Sequence, residues 1–206
     1  MNNLLIVAAG GHGKVVVEAA VAMKKWDKVA FLDDNFQSIV NHHGYPVLGS
    51  LASAQEFQGE YKDIFVAVGN NQDRLELMEK YTREGFNIPI IIHPTATVSN
   101  TVIINHGTVI MANATVNASV SIGKGSIINT SSSIDHDCVL GDGVHICPGA
   151  NLAGDVSVGR MSWIGIGAII IQGIRICEGV TVGAGAVVIS DIASDMTVVG
   201  NPARPK

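Results

Sequence analysis

Charge is scarce in this sequence. Only 15% of its 206 residues are Asp, Glu, Lys or Arg, and 13 basic residues face 18 acidic ones, for a formal net charge of −5. With the signs scattered, this balance argues against a surface for a nucleic-acid backbone. Long apolar runs are missing too: the mean hydropathy of +0.33 comes from Ile, Val and Ala dispersed through a repeat, and no run approaches the roughly 18 residues a bilayer span needs. Leu4 to Ala9 is a short apolar run with no basic residue before it, so it reads as a strand and not as an export signal. The 3 cysteines, Cys138, Cys147 and Cys177, lack metal-ligand spacing, and a reduced, cytoplasmic protein is the simplest fit. The length accommodates two small domains.

What the second half does contain is a period. From Val98 to Val188, in steps of 6, all 16 positions are aliphatic: Val98, Ile104, Ile110, Val116, Ile122, Ile128 and so on without a phase slip. An amphipathic helix repeats every 3.6 residues and a simple strand every 2, so neither accounts for it. A solenoid does: each hexapeptide is a short strand and a corner, the aliphatic points to the axis, and stacked coils bury what one coil cannot. Four residues after the aliphatic comes a small residue (Ala114, Ser126, Cys138, Ala150, Ala168, Ala186) that fits the narrowing turn. Glycine often follows the aliphatic directly (Gly123, Gly141, Gly159, Gly165, Gly183), where a positive φ is expected to relieve the corner. The pattern resembles the hexapeptide-repeat acyltransferases, which implies a left-handed parallel β-helix, an exception to right-handed crossovers.

The first half alternates. Strands are expected at Leu4–Ala9, Val29–Leu32, Ile64–Val68 and Ile88–Ile92. Helices are expected from Val15 to about Lys25 and from Asp73 to Gly85, with a short one at Leu51–Phe57. This reads as a small Rossmann-like α/β domain over 1–93, followed by the repeat domain over 94–206. Residues 94 to 97 leave almost no linker. The turn Gly10-Gly11-His12-Gly13-Lys14 stands between first strand and first helix, where such folds hold phosphates. Its third glycine position is Val16, so the dinucleotide fingerprint is incomplete. About 95 residues also leave no room for the second half of an NAD site, and a nucleotide-sugar pocket is the favoured reading over NAD or a purely structural turn. Asp33 lies where an acid can bond a ribose hydroxyl or a base edge. The repeat has no long insertion, so the first domain is expected to supply the acceptor.

Ionisable residues are sparse within the repeat, apart from Asn129-Thr-Ser-Ser-Ser-Ile-Asp135-His136-Asp137 and, further on, His145. His136 follows inward Ile134 by two positions and should project outward at a corner. Asp135 and Asp137 flank it and are placed to bond one ring nitrogen, fix the tautomer and raise the basicity of the other, as a general base needs. His145 is nine residues on, half of an eighteen-residue coil, so the two histidines should lie on different sides of the prism and cooperate only across a subunit interface. His42, His43 and His106 read as solvated.

Ala9-Gly10-Gly11-His12-Gly13-Lys14, Phe31-Leu32-Asp33-Asp34, Val68-Gly69-Asn70-Asn71, Asn129-Thr130-Ser131-Ser132, Asp135-His136-Asp137-Cys138 and Gly200-Asn201-Pro202-Ala203 together resemble the nucleotide-sugar N-acetyltransferases of the bacillosamine pathway, within the wider sialic-acid O-acetyltransferase-like group. The resemblance spans nearly the whole chain. It implies acetyl transfer from acetyl-CoA to the 4-amine of a UDP-linked 4-amino-4,6-dideoxy sugar, without a metal. It implies His136 as general base, Asp137 and Asp135 raising its basicity, Asn129 beside the reacting groups, and His145, Ile166, Gly183 and Ala184 at acetyl-CoA. The uridine sugar would meet Gly10, Gly11, His12, Asp33, Asp34, Gly69 and Asn70. Homotrimers with sites between neighbouring helices are implied as well. Aspartate stands at 137 where relatives can have glutamate, a shorter arm for the orienting bond.

Three rivals remain at this stage. O-acetylation of sialic acid or a similar sugar would use the same base on a hydroxyl. A zinc β-helix of the γ-carbonic-anhydrase type would need His106, His136 and His145 to converge. A non-catalytic scaffold is the third.

Overall fold

Five successive buried residues form β1 (Asn3–Val7), the centre of a sheet. The computed structural model describes residues 2–206, and the chain separates into two units, one ending at Pro94 and the other Thr95–Lys206. In the first unit β1 is followed by α1 (Gly11–Ala22), β2 (Lys28–Leu32), β3 (Asn41–His42), β4 (Tyr45–Gly49), a 3₁₀ turn over Leu51–Phe57, β5 (Asp63–Val66) and α2 (Asn71–Arg83). The sheet order is β3-β4-β2-β1-β5, parallel except for the β3–β4 hairpin.

Three details depart from the sequence reading. β4 is an additional parallel strand; Pro46 within it lacks an N–H donor and masks the pattern. Helix α1 starts at Gly11, capped by Gly10, so the glycine run is mostly first helical turn and not loop. The expected strand Ile88–Ile92 shrinks to Ile91–Ile92, because Pro89 cannot donate to a ladder.

The second unit is a left-handed parallel β-helix. It contains 16 two-residue strands from Thr97–Val98 to Val187–Val188. Each pairs in parallel with the strand 18 residues on, as Thr115 pairs with Thr97 and Ser133. Three sheets result, one per side of a prism. From Ile110 to Val188 the inward aliphatics are at most 2% exposed, and Ala114, Ser126, Cys138, Ala150, Ala168 and Ala186 are fully buried. Stacking thus removes from water what no single coil could.

The corner glycines follow a different rule from the expected one. Positive φ falls three residues after the aliphatic, at Gly125, Gly149 and Gly167 but also at Asn113, Ser131, Asp137 and Asp155. The glycines directly after the aliphatic are required by proximity: a Cβ at Gly141 would stand 2.6 Å from Arg160 N, and one at Gly165 2.6 Å from Val182 O. The next coil's backbone occupies that space. No helix among the described residues is long and apolar enough to cross a membrane.

Candidate active site

In the first unit, parallel strands bring three turns to one edge of the sheet, the carboxyl ends where α/β folds bind ligands. The turn after β1 has Gly10 and Gly11 with open space at their Cβ positions, and so has Gly69 in the turn after β5. Gly13 is different: a side chain there would strike Ala8 O and approach Phe31 Cε1 to 3.2 Å. Both acids after β2 are engaged with the protein's own amides. Asp33 accepts from Ala9 N at 2.8 Å and from Asn35 N at 2.9 Å, and Asp34 accepts from Leu51 N at 3.0 Å. Their direct effect is to hold the turns in place, a role the spacing alone did not suggest. Asn70 caps α2 through its side-chain oxygen, accepting from Gln72 N and Asp73 N.

His12 lies in the first turn of α1 with Nε2 buried and unbonded. Burial, reinforced by the charge of Arg74, lowers its pKa to about 4, so the ring is neutral at physiological pH. Arg74 itself is 1% exposed. Its guanidinium donates to Val68 O at 2.9 Å, Gly69 O at 3.1 Å and Asn71 Oδ1 at 2.8 Å. Desolvation lowers its pKa to about 10, which leaves it charged. Sequence reasoning missed Arg74. The one signal is a cation in the first turn of a helix, where the dipole disfavours it. His42, read as solvated, lies 3.1 Å from Gly10 O through Nε2 and sets its ring edge on Phe31 at 5.1 Å.

In the β-helix, His136 projects from the corner after the strand Ser133–Ile134, with its side chain 59% exposed. Asp137 next to it has φ 61°, a conformation aspartate tolerates better than most residues. Its Oδ2 lies 2.8 Å from His136 Nδ1, so the short arm reaches. Nδ1 then carries the hydrogen, and Nε2 is the basic nitrogen. Asp135 does not bond the ring as the sequence suggested. Its Oδ1 accepts instead from His136 N at 2.8 Å and from Asn117 Nδ2 at 2.9 Å. The hydrogen bond to Asp137 and the charge of Asp135 together raise the pKa of His136 above the usual imidazole value.

Asn129 and His145 lie together on another sheet. His145 and Ile127 face each other across adjacent strands, and Asn129 Nδ2 is 3.2 Å from His145 Nε2. Asn129 Oδ1 accepts from Thr130 N at 2.8 Å, so it is the amide NH₂ that faces His145, donating to Nε2. Trp163 stands one coil further on, edge to face with His145 at 6.2 Å. Ile166, 58% exposed, and Ala184 occupy equivalent corners of successive coils, with Gly183 beside them. Ile166 O accepts from Gly185 N at 2.8 Å. Asn129, His145, Ile166, Gly183 and Ala184 thus share one sheet and its following corner, while His136 and its two acids belong to a different corner. His106 lies at the third. Among the described residues no group of three or more His, Cys, Asp or Glu is placed to hold a metal ion.

Comparison with known proteins gives this arrangement a context. Residues 3–81 match the family model of the PglD N-terminal domain. The whole chain superposes on the acetyltransferase domain of PglB from Neisseria gonorrhoeae, determined in complex with acetyl coenzyme A, at a TM-score of 0.96 with 45% identity, covering 100% of both chains. The chain belongs to the hexapeptide-repeat sugar N-acetyltransferases. A histidine-to-asparagine variant of perosamine N-acetyltransferase from Caulobacter crescentus, in complex with CoA and GDP-perosamine, matches this acetyltransferase at a TM-score of 0.96 with 36% identity, covering 100% of this chain and 97% of that one. The UDP-N-acetylbacillosamine N-acetyltransferase of Bacillus subtilis is 38% identical over 114 residues, which span 54% of this chain and 52% of the Bacillus protein.

If His136 is the base of the reaction and the acids set its basicity, the acid limb of kcat/KM against pH marks its deprotonation. The limb should lie above the usual imidazole range, since a raised pKa keeps the ring protonated and inactive to higher pH. Asp137→Asn keeps an acceptor for Nδ1 but removes the charge. The limb should then move to lower pH while the plateau falls. A pH–rate profile of both proteins checks this, and an unmoved limb would remove Asp137 from the assignment.

Proposed function

We propose that this enzyme transfers the acetyl group of acetyl-CoA to the 4-amine of a UDP-linked 4-amino-4,6-dideoxy sugar. The amine nitrogen attacks the thioester carbonyl, the C–N bond forms, and His136 Nε2 takes the amine proton. The C–S bond breaks, and CoA leaves as the thiolate and is protonated. The observation that carries the reading is the 2.8 Å contact of His136 Nδ1 with Asp137 at an exposed corner, which fixes the other ring nitrogen as an acceptor for that proton. In this reading the nucleotide sugar is held by the first unit, at Gly10, Gly11, His12, Gly69 and Asn70, on turns ordered by Asp33 and Asp34. Acetyl-CoA contacts His145, Ile166, Gly183 and Ala184, and Asn129 stands beside the reacting groups. Because His136 occupies one corner and these residues another, the reading has the site completed by a neighbouring copy in a homotrimer. The enzyme works in the cytoplasm, where its thiols stay reduced.

The test is acceptor-dependent release of CoA thiol from acetyl-CoA with UDP-, GDP- and dTDP-linked 4-amino sugars and with free sialic acid. Turnover of the UDP sugar in preference to the other two carriers is expected. The Caulobacter relative binds GDP-perosamine whereas the Bacillus relative is named for a UDP sugar, so the carrier panel decides between these two. Turnover of the hydroxyl acceptor alone would hand the case to O-acetylation.

A further inference from the structure

We infer that Gly154 is a positioning residue for the reaction, its missing side chain forming the seat of the His136 ring. Gly154 stands 18 residues after His136, at the equivalent corner of the next coil. A Cβ built on it would fall 2.5 Å from Cε1, 2.6 Å from Nε2 and 3.1 Å from Nδ1 of His136. Three ring atoms within that range mean that the imidazole lies across the Gly154 Cα.

Backbone conformation gives glycine no advantage here, since Gly154 is not among the positive-φ residues. The same corner position carries Ala118, Ile166 and Gln172 elsewhere in the repeat. Nor can the coils separate to admit a methyl group. Asp155 N donates to His136 O at 2.9 Å and Gly173 N to Gly154 O at 3.0 Å, tying three successive coils together. With the backbone held, a side chain at 154 must displace the ring, and a displaced ring disturbs the 2.8 Å contact of Nδ1 with Asp137. The groups that set the ring's titration are Asp135 and Asp137 on its own coil and Asp155 on the next.

The inference rests on His136 being the base, and its test separates the two claims. Gly154→Ala should lower kcat about 10- to 100-fold, the scale expected when a catalytic group is misplaced by about 1 Å. KM for both substrates should hold within about twofold, with no loss of thermal stability. In a His136→Ala background the same change should have no further effect on kcat, because a group acting only through the ring loses its effect with the ring. Independently of turnover, the NMR titration of His136 in the substrate-free protein should shift its midpoint downward in Gly154→Ala, toward that of Asp137→Asn. An unmoved titration together with wild-type kcat would overturn the seat, as would a kcat loss of the same size in both backgrounds. Wild-type turnover by His136→Ala alone would instead overturn the base, while the titration would still report on the seat.

Discussion

Replacing His136 by alanine should lower kcat for acetyl transfer by about 10²- to 10⁴-fold, the range that a positioned general base contributes. KM for either substrate should change little. The side chain is 59% exposed and its one side-chain partner is Asp137, so the fold loses nothing that melting would detect. Residual turnover should persist, because holding an amine against a thioester is itself catalytic. Raising the pH should narrow the gap only slightly, since solution hydroxide is not held at the reacting nitrogen. Initial rates of CoA release across pH, with melting curves alongside, would measure all of this. A variant that turns over at the wild-type rate would leave the reaction without its assigned base.

The second large effect is on stability. A methyl group at Gly141 would stand 2.6 Å from Arg160 N and 2.9 Å from Arg160 Cα, all rigid backbone of the next coil. Relief requires the coils to part, and overpacking of this kind costs about 3 kcal/mol. In an array where each coil touches only its neighbours, one poor junction weakens the array on both sides. Gly141→Ala should therefore lower the melting temperature by roughly 10 °C. Gly149 provides the contrast. Its φ is +66° but a Cβ there meets nothing within 4 Å, so Gly149→Ala costs only the left-handed penalty of about 1–2 kcal/mol, and Gly149→Asn less. Equal melting temperatures for Gly141→Ala and Gly149→Ala would refute the distinction between the two kinds of glycine.

That distinction also shows how far the sequence could be read. The six-residue period gives the β-helix directly, because an inward aliphatic at every sixth position is the physical requirement for a three-sided coil. It does not say which corner residue turns left and which touches the next coil, since glycine satisfies both needs. Asn113, Ser131 and Asp155 at positive φ separate the two only once the structure is known. In the first unit β4 was hidden by Pro46 and the start of α1 by the glycines that form it. At the site, the histidine with its flanking acids is legible because charge is rare in the repeat. Which of the two acids bonds the ring depends on the φ of Asp137, which a one-letter code does not carry. Gly154 is silent until the chain is wound, because its neighbour His136 becomes adjacent only through stacking, and Arg74 gives only the faint signal of its place in a first helical turn, because two of its acceptors, Val68 O and Gly69 O, are backbone carbonyls.

Because strands pair at intervals of 18 residues, the molecule has a length quantum. A one-residue insertion in the prism would turn every later aliphatic outward. Six inserted residues would keep the aliphatics inward but move each later corner on to the next edge. Only a whole coil preserves the columns, and it carries everything beyond it along the axis by one strand spacing, about 4.8 Å. The axial offset between His136 and Ile166 can therefore evolve only in steps of that size, so fine adjustment of reach must come from side chains. The arm at 137 is one such adjustment.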